Sequence, residues 1–371
     1  MSRKESEYEI KDHQLFGSSK KVWKILKSEN EIATSKLKRA RKISVVIALL
    51  GVFRALQQLI LRVKIKDVAL KDDAPIFVIG HWRSGTTHLH YLLSQDDRYM
   101  HLSAFQAFFC NMAFTTKWFF KPILKIVMPE TRPQDNVKVD ADSPTEDEHA
   151  LVNMTKMSGM HMFFFPKNMM NFDKYNCFEE ISSNELQEWR SIYSNLLKQI
   201  EVFNKKDKKL LLKNPHNTAR IKVLLEMYPK AKFIFIHRNP YEVFRSTITL
   251  YEKAVKTQFL QEFSEEELNE LVLYCYEKMM SKYIYYSKLI PANQLIEVGY
   301  DELIENPISE LERIYAQLKL GEFQNVKPRF DLYLKTLKAY KVNPKVQLEK
   351  EIKEQIKKRW DFAFKEWGYE K

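Results

Sequence analysis

The chain reads as short apolar runs set between longer stretches of helical period. Ile76–Ile79 is one such run, entered through Ala74 and Pro75 and followed by helix-compatible residues 86–94. A run this short, bounded by turn residues, predicts a buried strand. Leu210–Leu212, Phe233–Ile236 and Gln294–Val298 repeat the pattern. Helices are expected from about Thr218 to Tyr228 and from Pro240, where proline suits a first turn. Residues 105–128 are aromatic-rich and helical in character, 129–149 read as a Pro- and acid-rich loop leading into a helix, and the chain beyond the fourth strand looks helical. Strands alternating with helices predict an α/β fold: a three-layer sandwich with a central, mostly parallel sheet and helices on both faces. In such sheets ligands bind beyond the carboxyl ends of the strands.

A helical, basic extension over residues 1–70 is expected to precede the α/β domain of residues 71–371. Within it Ile43–Leu61 is apolar but carries Ser44, Arg54, Gln57 and Gln58, which makes it a poor spanning helix. On one helical wheel Ser44, Gly51, Arg54, Gln58 and Arg62 share a narrow polar stripe. From Ile32 to Lys66 there are 9 Lys/Arg and no acid. That pattern suits a helix lying on an anionic membrane surface, and equally one packed on its own domain. The first 42 residues hold 12 Lys/Arg against 6 Asp/Glu, with no apolar core and cleavage site of a signal peptide. The expected location is cytoplasmic, peripheral on the inner face of a membrane.

Composition narrows the function. With 45% hydrophobic and 13% aromatic residues in 371, the chain can bury a large core and is not disordered. A net charge of +12 points to an anionic ligand or surface, and no nucleic-acid module is recognisable. Cys110, Cys177 and Cys275 form no CxxC pair, so neither a disulfide framework nor a zinc site is expected, and a reducing compartment fits. Only 8 glycines are present, and two of them stand five apart in Gly80-His-Trp-Arg-Ser-Gly-Thr-Thr87, between the first strand and its helix. Such a loop aims several N–H groups, and a helix dipole, at one anion. Its spacing is that of a nucleotide P-loop, but Thr86 stands where an NTPase needs lysine. The strand that would carry a magnesium-binding Asp ends instead in His237-Arg238.

Arg83-Ser84-Gly85-Thr86-Thr87 after a strand resembles the 5′-phosphosulfate loop of sulfotransferases that use 3′-phosphoadenosine 5′-phosphosulfate (PAPS), most closely the tyrosylprotein and carbohydrate enzymes with Arg in first place. Three further segments carry the resemblance. Phe233-Ile-Phe-Ile-His-Arg238 followed by Ser246 is similar to the family's 3′-phosphate grip, Arg at a strand end and Ser eight residues on. Lys213-Asn-Pro resembles the strand-end lysine that approaches the sulfuryl group. Val298-Gly-Tyr300-Asp-Glu-Leu resembles the segment whose tyrosine packs near adenine. The resemblance spans about 75–320 and implies sulfuryl transfer from PAPS to a hydroxyl or amine, in line and without a metal. Arg83, Lys213 and the loop amides are then the electrostatic stabilisers.

The general base is not settled by the resemblance. Related enzymes place a Glu about twenty residues after the loop, where this chain has Ser103-Ala-Phe-Gln106. The candidates are Glu146 and Glu148 of an acidic cluster, with Glu146 and His149 expected on one helical face, and His216, whose ordinary pKa suits proton transfer. The acids equally fit a charged helix start, and His216 a hydrogen-bonded turn. Tyr340-Lys-Val-Asn343 is a candidate for late nucleotide contacts. Residues 154–170 hold six of the 13 methionines and Phe163–Phe165, which suit either core or an adaptable apolar pocket. With the basic extension they point to a hydrophobic lipid or glycan acceptor. Alternatives from other classes are a P-loop kinase or NTPase and a non-catalytic nucleotide-binding interaction protein.

Overall fold

Alternation along the strands divides the interior into two cores. In the computed structural model, which describes residues 13–65, 70, 73–128, 131, 137–204, 208–337 and 347–370, five strands form one parallel sheet. They are β1 (Ile76–Ile79), β2 (Tyr99–Met100), β3 (Lys209–Lys213), β4 (Lys232–His237) and β5 (Leu295–Gly299), in the order β2-β3-β1-β4-β5. Successive side chains of a strand face opposite ways. Phe77, Ile79, Leu210, Leu212, Phe233 and Phe235 enter one core, while Ile76, Val78, Leu211, Ile234 and Ile236 enter the other. Both faces are therefore apolar, as a parallel sheet covered by helices requires. The four apolar runs are strands, within a residue or two of their expected ends. The two-residue edge strand β2 carries too little pattern to be seen in sequence.

The helices follow in chain order. The N-terminal part holds α1 (Lys20–Glu29), α2 (Leu37–Leu49) and α3 (Gly51–Lys64). After β1 comes α4 (Thr86–Leu93). The stretch expected to be helical over 105–128 breaks into α5 (Ala104–Phe108) and α6 (Ala113–Val127), and the acidic segment leads into α7 (Glu148–Met154). Then come α8 (Met169–Cys177) and α9 (Ser183–Asn204). The helix expected over Thr218–Tyr228 starts as a 3-10 turn, Pro215–Ala219, and continues as α10 (Ile221–Met227). Helix α11 (Pro240–Lys253) opens at its proline as expected. Beyond it lie α12 (Glu265–Tyr286) and, after β5, α13 (Tyr300–Glu305).

The N-terminal helices share the first core through Leu15, Trp23, Leu26, Ile43 and Ile47. Asn111 Nδ2 donates to Gly17 O (3.0 Å) and Gln261 Nε2 to Glu31 O (3.1 Å), stitching the extension to distant segments. The segment expected as one helix bends by 50° between α2 and α3. The expected polar stripe is split: Arg54 is buried, donating to Ile47 O and Phe16 O, whereas Gln58 and Arg62 are exposed. Among the described residues no single helix is long and apolar enough to cross a membrane. Met157, Met160, Met162 and Phe163–Phe165 are buried in the first core, so that stretch is largely packing.

Candidate active site

The four segments that carry the resemblance leave the sheet at the carboxyl ends of β1, β3, β4 and β5. Strand β1 sits between β3 and β4, where the chain's path across the sheet changes direction, and a crevice opens at such a switch point. The loop after β1 is shaped by two glycines. Gly80 has φ +144°, and a Cβ there would lie 2.4 Å from Ile236 O; its N–H donates to Thr218 Oγ1 at 2.8 Å. Gly85 has φ +102°, and a Cβ there would lie 2.4 Å from Cδ2 of Tyr300. Only glycine meets both demands. Arg83 is also left-handed, at φ 70°. Gly85 is the N-cap of α4 and makes no side-chain cap, so the uncapped helix start and its dipole face the crevice. Ser84 and Thr86 are buried within the loop.

Two groups of side chains flank this loop. On the β4–β5 side, Arg83 Nε donates to Ser246 Oγ of α11 at 2.9 Å, and Arg238 Nη1 to Arg83 O at 3.2 Å. The Arg238 guanidinium lies 4.1 Å over the Tyr300 ring, a cation–π stack that holds its plane. Arg238 Nε is buried without a hydrogen-bond partner. Arg245 pairs with Glu242 on the same helix. On the β3 side, Lys213 Nζ donates to Glu146 Oε1 at 2.6 Å and to Thr87 Oγ1 at 3.3 Å. The Glu146 backbone pairs in parallel with Lys213, which holds the carboxylate over the strand end. Burial pushes the Glu146 carboxyl up, but the Lys213 ammonium and further nearby positive groups outweigh it, and the net shift is downward. The Lys213 side chain is 2% exposed and that of Glu146 15%, so Glu146 is the more accessible member of a largely buried pair.

The remaining candidates lie deeper. Glu148 accepts from Arg220 through both oxygens (2.6 and 3.0 Å), from Ser158 (2.7 Å) and from Asn214 (2.8 Å), and both charges are fully buried. Burial pushes its carboxyl up, yet Arg220 outweighs this and holds it well below the usual glutamate range. His216 is fully buried, its Nδ1 bonded to Asn176 Oδ1 at 2.5 Å and its ring edge-on to Trp82, with centroids 4.9 Å apart. Burial drives its pKa down to about 4, so the imidazole is neutral. His81 and Trp82 are packed in the same way and shape the loop. Glu146 and His149 do not share a helical face, because Glu146 precedes α7. Tyr340-Lys-Val-Asn343 lies outside the described residues.

Several residues of this architecture were not evident in the sequence. Thr218 anchors the loop through Gly80. Arg220 neutralises Glu148. Tyr193 O–H donates to Asp147 Oδ2 at 2.9 Å, and burial raises that carboxyl to about 7. Each depends on long-range packing. The one legible sign was the density of polar residues in Asn214-Pro-His-Asn-Thr-Ala-Arg220, all buried.

Comparison with known proteins bears on the family and the fold. The model of the sulfotransferase family matches residues 75–325. The omega-hydroxy-beta-dihydromenaquinone-9 sulfotransferase Stf3 of Mycobacterium bovis is 31% identical over 329 residues, 89% of this chain and 83% of that protein, and its Mycobacterium tuberculosis counterpart matches equally. The crystal structure of sulfotransferase STF9 from Mycobacterium avium superposes with a TM-score of 0.65 at 18% identity, covering 94% of this chain and 96% of that one. Sulfotransferase STF1 from Mycobacterium tuberculosis gives 0.58 at 16% identity, with 90% of each chain covered. At those identities the structures speak for the fold alone. The family match and the 31% relative, taken with a fold of the expected kind, make this chain a member of the sulfotransferase family.

Proposed function

We propose that the chain moves a sulfuryl group from PAPS to a hydroxyl of an apolar, lipid-like acceptor, with Glu146 as general base. The observation that carries this reading is the convergence of three elements on one crevice: the Gly80–Thr87 loop, the Arg83–Ser246–Arg238 cluster, and the Lys213–Glu146 pair. The residues suit a bisphosphorylated nucleotide. Arg238 Nε is buried and unpartnered, the start of α4 is uncapped, and Gly85 lets the loop lie close against Tyr300. Bound PAPS supplies the sulfuryl group and a good leaving group.

The chain's own residues then divide the work. Arg238 and Ser246 hold the 3′-phosphate, and Tyr300 stacks on Arg238 to keep its fork aimed. Arg83 and the loop amides hold the 5′ side. Lys213 is placed to neutralise charge that develops on the leaving oxygen. Its attachment to Thr87 and Glu146 keeps it at the loop. Glu146 is ionised in this pair and is its more accessible member, so it is placed to accept the acceptor's proton. Glu148 and His216 are assigned no proton-transfer role, because one is locked to Arg220 and the other is sealed from the crevice.

The lipid-like acceptor is supported by the relative named for a hydroxylated menaquinone. Three buried free cysteines suit a reducing, cytoplasmic setting. Calorimetry tests the donor: adenosine 3′,5′-bisphosphate without magnesium is expected to bind, and ATP with magnesium is not. The reverse outcome supports kinase chemistry instead. A screen of hydroxylated lipids with labelled PAPS tests the acceptor.

A further inference from the structure

Helix α3 turns two polar residues inward and an apolar row outward. Gln57 Nε2 donates to Cys110 O at 2.6 Å, Gln57 Oε1 accepts from Phe114 N at 2.9 Å, and Arg54 is buried beside them. Among its outward residues, beside Gln58, Arg62 and Lys64, are Val52, Leu56, Leu59 and Val63, the last 85% exposed. Helix α6 packs alongside, with Thr115 Oγ1 donating to Phe53 O at 3.1 Å and the Phe53 and Phe120 rings edge to face. It continues the apolar surface with Trp118 (77% exposed), Phe119, Ile123 and Ile126 (82% exposed). Val45 and Leu49 of α2 extend it across the bend. Single exposed hydrophobics are ordinary; three adjacent helices that all turn apolar residues outward form a patch that needs a partner.

Charge selects the partner. The stretch Ile32–Lys66 has 9 Lys/Arg and no acid. Lys38, Arg41, Lys42, Arg62 and Lys64 are exposed on α2 and α3, and Lys125 on α6. A second copy docking face to face would set like charges against each other. An anionic lipid surface complements both features: acyl chains meet the apolar face, headgroups meet the cations, and Trp118 suits the interface. We propose that the outward faces of α2, α3 and α6 form a docking surface for an anionic lipid bilayer. Lys121 and Lys125 of α6 both pair with Asp142, which stands in the segment that leads to Glu146. Ion pairs thus tie α6 to the segment that carries Glu146, which is the acceptor side on the function proposed above; the docking surface itself does not rest on that reading.

The test is co-sedimentation of the full chain with phosphatidylcholine vesicles, with and without about 30 mol% phosphatidylglycerol. Strong partitioning only with the anionic lipid, weakened by high salt, is expected. Leu59→Glu and Ile126→Glu should each reduce it about tenfold or more, since each would place a charge in the apolar layer. Leu332→Glu, at an exposed apolar residue away from this face, should leave it unchanged. Adenosine bisphosphate binding should be the same in all three variants, which separates this proposal from the donor assignment and verifies folding. Equal partitioning to both vesicle types, or Leu59→Glu and Ile126→Glu proteins that bind as the parent does, would overturn it. So would a dimer in sedimentation velocity that these substitutions dissociate while vesicles recruit nothing.

Discussion

Lys213 and Glu146, far apart in the chain, meet as a 2.6 Å ion pair at the end of β3, with Thr87 of the anion loop 3.3 Å from the same ammonium. Each charge satisfies the other in this pair. On the function proposed above, a sulfuryl donor on the loop would offer the ammonium an alternative partner and free the carboxylate to take a proton. We expect Glu146→Gln to lower turnover by about 10²–10⁴-fold, the usual worth of a positioned base, with nucleotide affinity nearly unchanged. Steady-state kinetics beside calorimetry checks this. Turnover within about threefold of the parent would remove Glu146 from the role.

Arg238→Ala is expected to weaken adenosine 3′,5′-bisphosphate binding by about 2–5 kcal/mol, because it strips a bound phosphate of its charged partner. Titration calorimetry reads the loss directly. A change below about 0.5 kcal/mol would mean that the 3′-phosphate lies elsewhere.

Gly85→Ala should damage the loop twice. The residue is held at φ +102°, and the added methyl would press on Tyr300. A stability loss of about 1–3 kcal/mol is expected, with nucleotide binding impaired as the loop shifts. Chemical denaturation and calorimetry measure the two effects. A stable variant with full affinity contradicts the close approach of Tyr300 to this loop.

Arg220→Ala tests the assignment of Glu148 to the fold. It leaves a buried carboxylate without its counter-ion, and a loss of about 3–5 kcal/mol in unfolding free energy is expected. Adding Glu148→Gln should recover part of that loss, because the stranded charge is gone. If the double variant is less stable than Arg220→Ala alone, Glu148 matters for something other than its pairing with Arg220.

Stability should fall on acidification. His13 and His81 are held near pKa 3, and His161 and His216 near 4, each chiefly by burial, against about 6.5 in the unfolded chain. Between those values the unfolded state binds more protons, so unfolding free energy rises with pH in this window. Stability present above about pH 6.5 is thus progressively lost down to about pH 4. Urea midpoints across this range check the slope, and a flat profile would contradict neutral burial of these imidazoles.

Much of the loop after β1 and of the cluster beside it was legible in the sequence because it depends on local geometry. A strand, two glycines five apart and a helix start occupy a dozen consecutive residues, and the Arg238–Ser246 spacing is two helical turns. The choice among the proposed bases was not legible. Glu146, Glu148 and His216 are comparable candidates by residue type, and what separates them is access: one carboxylate is partly exposed beside Lys213, one is closed by Arg220, and the imidazole is fully buried against Trp82. Nor could the stripe through Arg54 and Gln58 show that Arg54 turns inward while Gln58 stays exposed, because the bend between α2 and α3 breaks the single helix it assumes.

What the sequence by itself determined was the class of fold, the glycine-framed loop after β1 and the family to which its motifs point. These follow from period, turn chemistry and spacing, which act over a few residues. Only the tertiary structure decided which acid pairs with Lys213, which charges are buried for stability, and which way α3 faces. Those outcomes depend on burial and on partners distant in the chain, and no local pattern encodes either.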